Sequence, residues 1–458
     1  MIPFDSMTMT QCRFFDFGDK RLNDRARKCF STLLSGNCCE GFPRIFGNQY
    51  DLKAFYRLMN NERVNPEKFV QGYVQGLEQI RKQQASSSAQ PKTYYQYQDS
   101  TYGSFLNRNK LDLGYLENPT DNGLVIHTSI LTDSVFIPLG IPWQRQIIRD
   151  RAKYQKARNR KKRPFEEKES FKWVEALDWS ISVQEQLDIR IIHVTDREGD
   201  MNELFNYVFE NELDIIIRAR HDRILPEQEE KLWAYLRSQP AKATIKRQLL
   251  DSKGQTYEAQ CAVFWTTIQL KDVTEPIQVV YLRQLDQLDK VKQGAEWAIY
   301  TTLPVKNKPQ SIGIVDVYTK RWRTCEDFHK CLKSGCSMEK RQFDSAHGMT
   351  NTIAMLSLVA MHLVRMRHLA SLGNQPVNQV IDEQQCKLAE VLADKYLKPV
   401  DLTHCKPKTV LWLVLLLGRM GGHQGIRQKG LPGWKTLWLG WYDFRKLMDG
   451  IILSKNFL

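Results

Sequence analysis

Between residues 93 and 218 the apolar pattern switches from a period of two to a helical period and back, and no other feature restricts the fold as tightly. Thr93 to Asp99, Leu124 to Leu131 and Val135 to Leu139 read as strands, with Asn122-Gly123 and Asp133-Ser134 as the turns between them. Strands this close in sequence form an antiparallel meander. A helix over Ser170 to Gln184, a strand over Ile189 to Val194, a helix near Met201 to Phe209 and a strand over Asp214 to Arg218 follow. The order βββαβαβ predicts an α/β domain on one mixed sheet of five strands.

The flanks are helical. Asp16 to Leu34 predicts a short helix carrying Lys20, Arg21, Arg25, Arg27 and Lys28, and Leu52 to Met59 predicts a second. Asn65-Pro66-Glu67-Lys68 starts a third that runs through Ile80, and the polar stretch Gln83 to Pro91 reads as a linker. Residues about 219–311 alternate as strands at Gln255 to Leu270, Ile277 to Arg283 and Glu296 to Pro304 without a strong helix, the pattern of a β-rich insertion. Helical periodicity returns at Val315 to Lys333 and Met349 to Ala370, breaks near Ser371 to Val380, and resumes to Leu458. The expected division is a helical domain over 1–72, the α/β domain over 73–372, and a helical domain over 373–458.

Charge narrows the partner. The 66 Lys and Arg against 52 Asp and Glu give a net charge of +14, which favours a polyanion, nucleic acid or an acidic membrane surface, between which charge alone does not choose. The apolar runs Val410 to Leu417 and Ile353 to Met366, the latter broken by Ser357, His362 and Arg365, are too short to cross a bilayer and predict buried helices, so no membrane partner is expected. Ten cysteines without framework spacing, and no basic-then-apolar leader, fit a reducing cytoplasm. No Gly-Lys-Ser/Thr phosphate loop and no Gly-x-Ser-x-Gly elbow are present, which gives no support to a nucleotide cofactor or a serine nucleophile.

Three carboxylates carry the chemistry. Asp99 closes the first strand and Asp196 directly follows Ile-Arg-Ile-Ile-His-Val-Thr, so on neighbouring strands both leave one sheet edge about 5 Å apart. Hard divalent cations take such oxygen ligands. Glu326 supplies a third carboxylate and shares a helical face with Arg323, Lys330 and Lys333, an acid among cations that suits metal plus phosphate or, equally, a salt-bridged surface. Cys325, His329, Cys331 and Cys336 lack zinc spacing. The run Arg145 to Arg163 holds ten cations and one acid and either touches DNA backbone or is solvated.

These residues resemble a known family. Tyr94-Tyr-Gln-Tyr-Gln-Asp99-Ser-Thr101, Val194-Thr-Asp196-Arg-Glu198-Gly-Asp200 and Tyr318-Thr-Lys-Arg321-Trp-Arg323-Thr-Cys-Glu326-Asp-Phe-His-Lys330-Cys-Leu-Lys333 are similar to the motifs of bacterial DDE cut-and-paste transposases of the insertion-sequence group with a Tyr-Arg-Glu-Lys signature. Gly18-Asp-Lys20-Arg21, Glu167 to Trp173 and Pro432 to Trp438 extend the likeness across the chain. The resemblance implies a ribonuclease-H-like core in which Asp99, Asp196 and Glu326 hold two Mg²⁺ ions, with Mn²⁺ as a substitute, and a C-terminal segment that makes a homodimer. It implies strand nicking, hairpin formation and resolution, and strand transfer on double-stranded DNA, the terminal repeats and a target, by a cytoplasmic protein that sits on the nucleoid when bound. Trp297 would stack on a flipped base, and Lys20, Arg21, Arg218, Tyr318, Arg321, Arg323, Lys330 and Lys333 would contact DNA.

One spacing departs from the signature. Four residues separate Arg321 from Glu326 where the family has three, while the six between Glu326 and Lys333 are kept. On a continuous helix Arg321 lies roughly 140° from Glu326 and Arg323 roughly 60°, so Arg323 is expected to take the phosphate unless a π-bulge restores the register. Two other readings remain open: a decayed or domesticated DNA-binding protein, and a stand-alone nuclease of the same fold.

Overall fold

The strand β1, Thr93–Ser104, is the member around which the sheet is laid down. The computed structural model describes residues 12–84, 93–105, 111, 113–154, 163–250, 256–285, 294–425 and 430–455. Most of the expected linker and residues 155–162 of the basic run lie outside them. On one side β1 pairs antiparallel with β2, Gly123–Thr132, which pairs antiparallel with β3, Pro138–Ile147. On the other it pairs parallel with β4, Arg190–Thr195, and β4 parallel with β5, Asp214–Arg218. The helices Lys172–Leu187 and Asn202–Glu210 make the crossovers, because parallel neighbours need a connection long enough to return the chain to the same end.

Two expectations change here. The strand expected at Val135 to Leu139 starts later, because the Asp133 carboxylate accepts from the amides of Val135 (3.1 Å) and Ile137 (2.8 Å), while Phe136 turns at φ 67°. The segment is therefore a hairpin loop. The sheet also has nine strands, not five. After the short hairpin of β6, Ile224–Leu225, and β7, Glu230–Lys231, come β8, Ala243–Leu250, β9, Thr256–Ile268, β10, Ile277–Gln284, and β11, Glu296–Thr301. β11 pairs antiparallel with β5, so the order is β3-β2-β1-β4-β5-β11-β10-β9-β8 and the expected insertion continues the core sheet. An unpaired β5 edge would leave amides and carbonyls without partners, and β11 satisfies them. The helix Leu232–Ser238 and β8 were not foreseen, the first because it is only seven residues long, the second because Lys246 and Arg247 interrupt its apolar pattern.

The N-terminal helices Lys20–Ser35, Phe42–Phe46, Gln49–Met59 and Pro66–Gln84 do not stand apart. Phe15, Phe30, Phe42 and Phe55 belong to one continuous apolar core with Phe343, Met349 and Trp441. Buried Arg341 donates to the carbonyls of Cys38, Glu40 (2.6 Å) and Cys336 (2.6 Å) and lies 4.3 Å from the Phe42 ring centroid. Asn351 donates to the carbonyls of Met59 and Val64, both at 2.9 Å.

The helix Ala346–Ser371 corrects the reading of the longer apolar run. Its 26 residues are long and apolar enough to span a membrane by length and composition, but 83% of its most apolar window is buried inside the protein, the behaviour of a core helix. The C-terminal helices Glu383–Tyr396, Val410–Met420 and Trp434–Lys455 pack behind it. A Cβ on Gly440 would fall 1.8 Å from the Leu417 carbonyl oxygen, so glycine is what lets the last two helices touch backbone to backbone.

Asn351→Ala strips the donor from two carbonyls at the seam between the N-terminal helices and the core. We expect a loss of about 1–3 kcal/mol, measured by urea unfolding, with both parts still unfolding in one transition. A separate early transition for the N-terminal helices would show that the seam is not cooperative.

Candidate active site

Asp99 and Asp196 are brought together by strand register. The parallel ladder pairs Thr93 with Arg190 and ends at Tyr97 with Val194. Two further residues along each chain are Asp99 and Asp196, which therefore leave the sheet side by side, about one strand spacing apart. β1 itself continues to Ser104, paired with β2, so Asp99 stands inside its strand, where the neighbour β4 stops. Asp196 ends β4 by accepting the Glu198 amide at 2.7 Å, which starts a turn over Arg197–Gly199. A side chain at Gly199 would meet Thr195 Oγ1 at 2.4 Å, so the turn can lie on the strand end only with glycine there.

Alternation along β1 decides what faces the two carboxylates. Gln96, on one face, donates to the Ala176 carbonyl of the helix Lys172–Leu187 at 3.2 Å. Tyr97, on the other, donates to the Val317 carbonyl of the helix Lys308–Lys330 at 3.2 Å. Asp99 shares the Tyr97 face, and one helical turn beyond Val317 is Arg321, whose Nη1 lies 2.9 Å from Asp99 Oδ2. Two strand residues and one helical turn both advance about 6–7 Å, which keeps the two contacts in step. Arg321 Nη1 is engaged with the Asp99 carboxylate as an ion pair while Nε finds no partner, so the buried guanidinium keeps a donor unused.

Electrostatics at the pair are dominated by burial. Burial raises the pKa of Asp99 above its ordinary value; the Arg321 charge and the Ser100 amide oppose the rise, and Glu198 adds to it. Asp196 is raised by burial too, opposed by Arg321, the Glu198 amide and Lys172, while Asp99 adds to the rise. Two half-buried carboxylates thus share the field of one guanidinium.

Glu326 stands apart. Five residues beyond Arg321, it leaves the buried face to Cys325 and Phe328 and pairs with Lys330 at 3.1 Å, half exposed. Among the described residues no three His, Cys, Asp or Glu side chains gather to hold one metal ion. The helix is regular from Arg321 to Glu326; the π turn lies later, at Cys331–Gly335, and carries Lys333. Arg321 rather than Arg323 is the arginine at the carboxylates. Arg323 is exposed and lies 3.8 Å from Asp327.

The other candidates fall into two groups. Arg218 lies 5.6 Å from the Trp297 ring centroid, and the Tyr318 ring 6.1 Å from it, so three candidates from β5, β11 and the helix meet, with Trp297 half buried. Lys20 and Arg21 are far along the chain, exposed in the first turn of Lys20–Ser35, which Asp19 caps by accepting from Arg21 N at 2.8 Å. Cations in a first turn oppose the helix dipole, so helix stability does not account for them.

Lys172 was missed. It opens the helix Lys172–Leu187 almost fully buried, 3.5 Å from Glu169 and 3.6 Å from Glu198. A cation at a helix start, inside a block already matched for its sequence, was the available signal.

Residues 6–64 match the family model for the transposase DNA-binding domain, which supports a transposase and DNA as its partner. Among solved structures, the cryo-EM structure of the piggyBac transposase synaptic complex with hairpin DNA is similar over 81% of this chain and 66% of that one, with 11% identity and a TM-score of 0.35. The chain thus spans slightly less than two thirds of that protein, and the likeness is too loose to fix the fold.

Arg321→Leu removes the cation paired with Asp99. Because the folded protein holds a carboxyl proton that the unfolded chain releases, stability falls as pH rises past the ordinary carboxylate range, and the variant should fall further. Its deficit is expected to be larger at pH 7.5 than at pH 4.5 by on the order of 1–3 kcal/mol. Equal deficits at both pH values, by denaturant unfolding, would refute the coupling.

Proposed function

We propose that the chain is a metal-dependent cut-and-paste DNA transposase with a ribonuclease-H-like core, acting as a homodimer on its element's terminal repeats and on target DNA, in the cytoplasm and on the nucleoid. The observation that carries it is the β1–β4 register, which sets Asp99 beside Asp196 in a chain whose first helices match a transposase DNA-binding model. The order β3-β2-β1-β4-β5, with β2 antiparallel and β4 and β5 parallel to β1, supports the core assignment.

The donor set fits a hard divalent ion in part. Two desolvated carboxylates with an arginine as their counter-charge match it, and Glu326, held by Lys330, must leave that pair to join them. Asp99, Asp196 and Glu326 would hold the metal; two Mg²⁺, or Mn²⁺ in their place, would stabilise charge on the attacking and leaving oxygens. The Arg321 donors suit a phosphate oxygen beside the carboxylates, with Tyr318, Arg323, Lys330 and Lys333 along the same helix and its π turn. Trp297, braced by Arg218 and Tyr318, offers a ring for an extruded base, while Lys20 and Arg21 meet the terminal repeat. In the proposed sequence water opens one strand, the freed 3′-hydroxyl attacks the opposite strand to close a hairpin, water reopens it, and the same hydroxyl attacks target DNA.

The test is incubation of the full chain with Mg²⁺ and DNA bearing the repeats that flank its gene. Excised, hairpinned ends support the proposal. Binding without cutting points to a decayed DNA-binding protein, and cutting that needs no second end points to a stand-alone nuclease. Asp196→Asn should abolish cleavage while end binding stays within about twofold, because a metal ligand makes few phosphate contacts. Loss of both would make Asp196 structural. Arg321→Ala should reduce processing at least about tenfold more than Arg323→Ala, equivalent to about 1.4 kcal/mol; the opposite ranking would move the phosphate to Arg323.

A further inference from the structure

The basic run that begins at Arg145 acquires a location in the fold. Its described residues wall a cavity of about 520 Å³ at the outer end of β3, lined by Tyr115, Tyr154 and the cations Lys153, Arg163, Lys168 and Lys172, with the carboxylates Asp150, Glu166, Glu167 and Glu169 also in the wall. Gly114 bridges Arg149 so closely that a Cβ would fall 2.3 Å from the Arg149 carbonyl, which pins the Tyr115 strand against the end of β3. Arg149 is committed there, with Nε and Nη2 on the Glu169 carboxylate at 2.6 and 2.8 Å and Nη1 on the Leu116 carbonyl at 2.6 Å. Lys153 and Arg163 have no such commitment, since neither makes an ion pair among the described residues.

Two aromatic rings complete the lining. Tyr115 and Tyr154 meet edge to face at 5.0 Å, and both are only half buried. Glu169 is taken up by Arg149 and Lys172, so the phosphate-binding part of the wall is the side of Lys153 and Arg163, beside partly open tyrosine faces, a combination that takes a nucleic-acid strand with phosphate on the cations and base on a ring. A second observation ties the cavity to the carboxylates. Lys172 lines it, is almost fully buried, and reaches Glu198 at 3.6 Å, whose amide is bound by Asp196 at 2.7 Å. Lys172 thus connects the cavity lining to the turn that follows Asp196.

We propose that this cavity binds one unpaired nucleotide of a DNA strand next to the reacting phosphate, with Lys153 and Arg163 on its phosphodiester and Tyr154 on its base. It rests on the reading of the protein as a DNA-processing enzyme and adds a binding subsite outside the carboxylates. A strand that enters here is single-stranded, because the cavity admits a nucleotide and not a duplex.

The test compares the full chain on a blunt duplex bearing the terminal repeat and on the same duplex with a short single-stranded tail, at two salt concentrations. The wild type is expected to bind the tailed DNA more tightly. Lys153→Glu with Arg163→Glu, both on accessible positions, should remove at least a tenfold part of that preference, lower the salt slope for tailed DNA by about 1–2, and leave the blunt duplex unchanged. Lys153→Gln with Arg163→Gln should give a smaller loss in the same direction. Tyr154→Ala should cost affinity for the tail several-fold without changing the salt slope. Unchanged tail preference in the charge-reversed variant overturns the subsite while leaving the transposase proposal intact. Failure of the wild type to bind either DNA overturns that proposal and the subsite with it.

Discussion

The parallel pairing of β1 with β4 is the constraint on which everything else hangs. It fixes by register alone which residue of one strand stands beside which of the other, and it ends two residues before the carboxylates. Shifting β4 by one residue would turn Asp196 to the opposite face, away from Arg321, and turn its buried Ile and Val side chains with it. The buried pattern of β4, exposed only at Arg190, therefore protects the site as much as the core. The helix Lys308–Lys330 is locked to the same register through Tyr97 and Val317 one turn before Arg321. Core packing and charge placement are one problem here.

Arg321 shows how a buried charge is tolerated while remaining available. Its partner carboxylates are themselves desolvated, so none of the three is at ease without the others. Glu326, paired with Lys330, lies on the last turns of the helix before the π segment Cys331–Gly335. A π turn is less tightly wound than the α-helix before it, and such segments often accompany function.

Apart from β3, the strands and helices between β1 and β5 were legible because each carries a clean period, and Asp214–Arg218 keeps its expected ends. The Asp99–Asp196 juxtaposition was legible too, since both acids lie at strand positions. The rest depended on contacts that no local pattern encodes. Whether the β-rich segment would form its own sheet or extend the first was decided by the free edge of β5. Whether Arg321 or Arg323 faces the carboxylates was decided by which helical face the Tyr97 hydroxyl engages. A spacing count relative to Glu326 pointed to Arg323, whereas Arg321 is the arginine paired with Asp99 and Glu326 pairs with Lys330. Asn351 and Arg341, which join the N-terminal helices to the core, look in the sequence like ordinary surface polar residues.

That seam has a consequence for the newborn chain. The first helices leave the ribosome early, but their aromatic core is closed by Phe343 and Met349, and their last carbonyls are capped by Arg341 and Asn351. Some three hundred residues must be synthesised before those partners arrive, and contacts of such sequence separation form late. A nascent fragment that ends before Phe343 would therefore lack the contacts that close the N-terminal aromatic core and cap its last carbonyls, so that core is completed only once the later helices have been made.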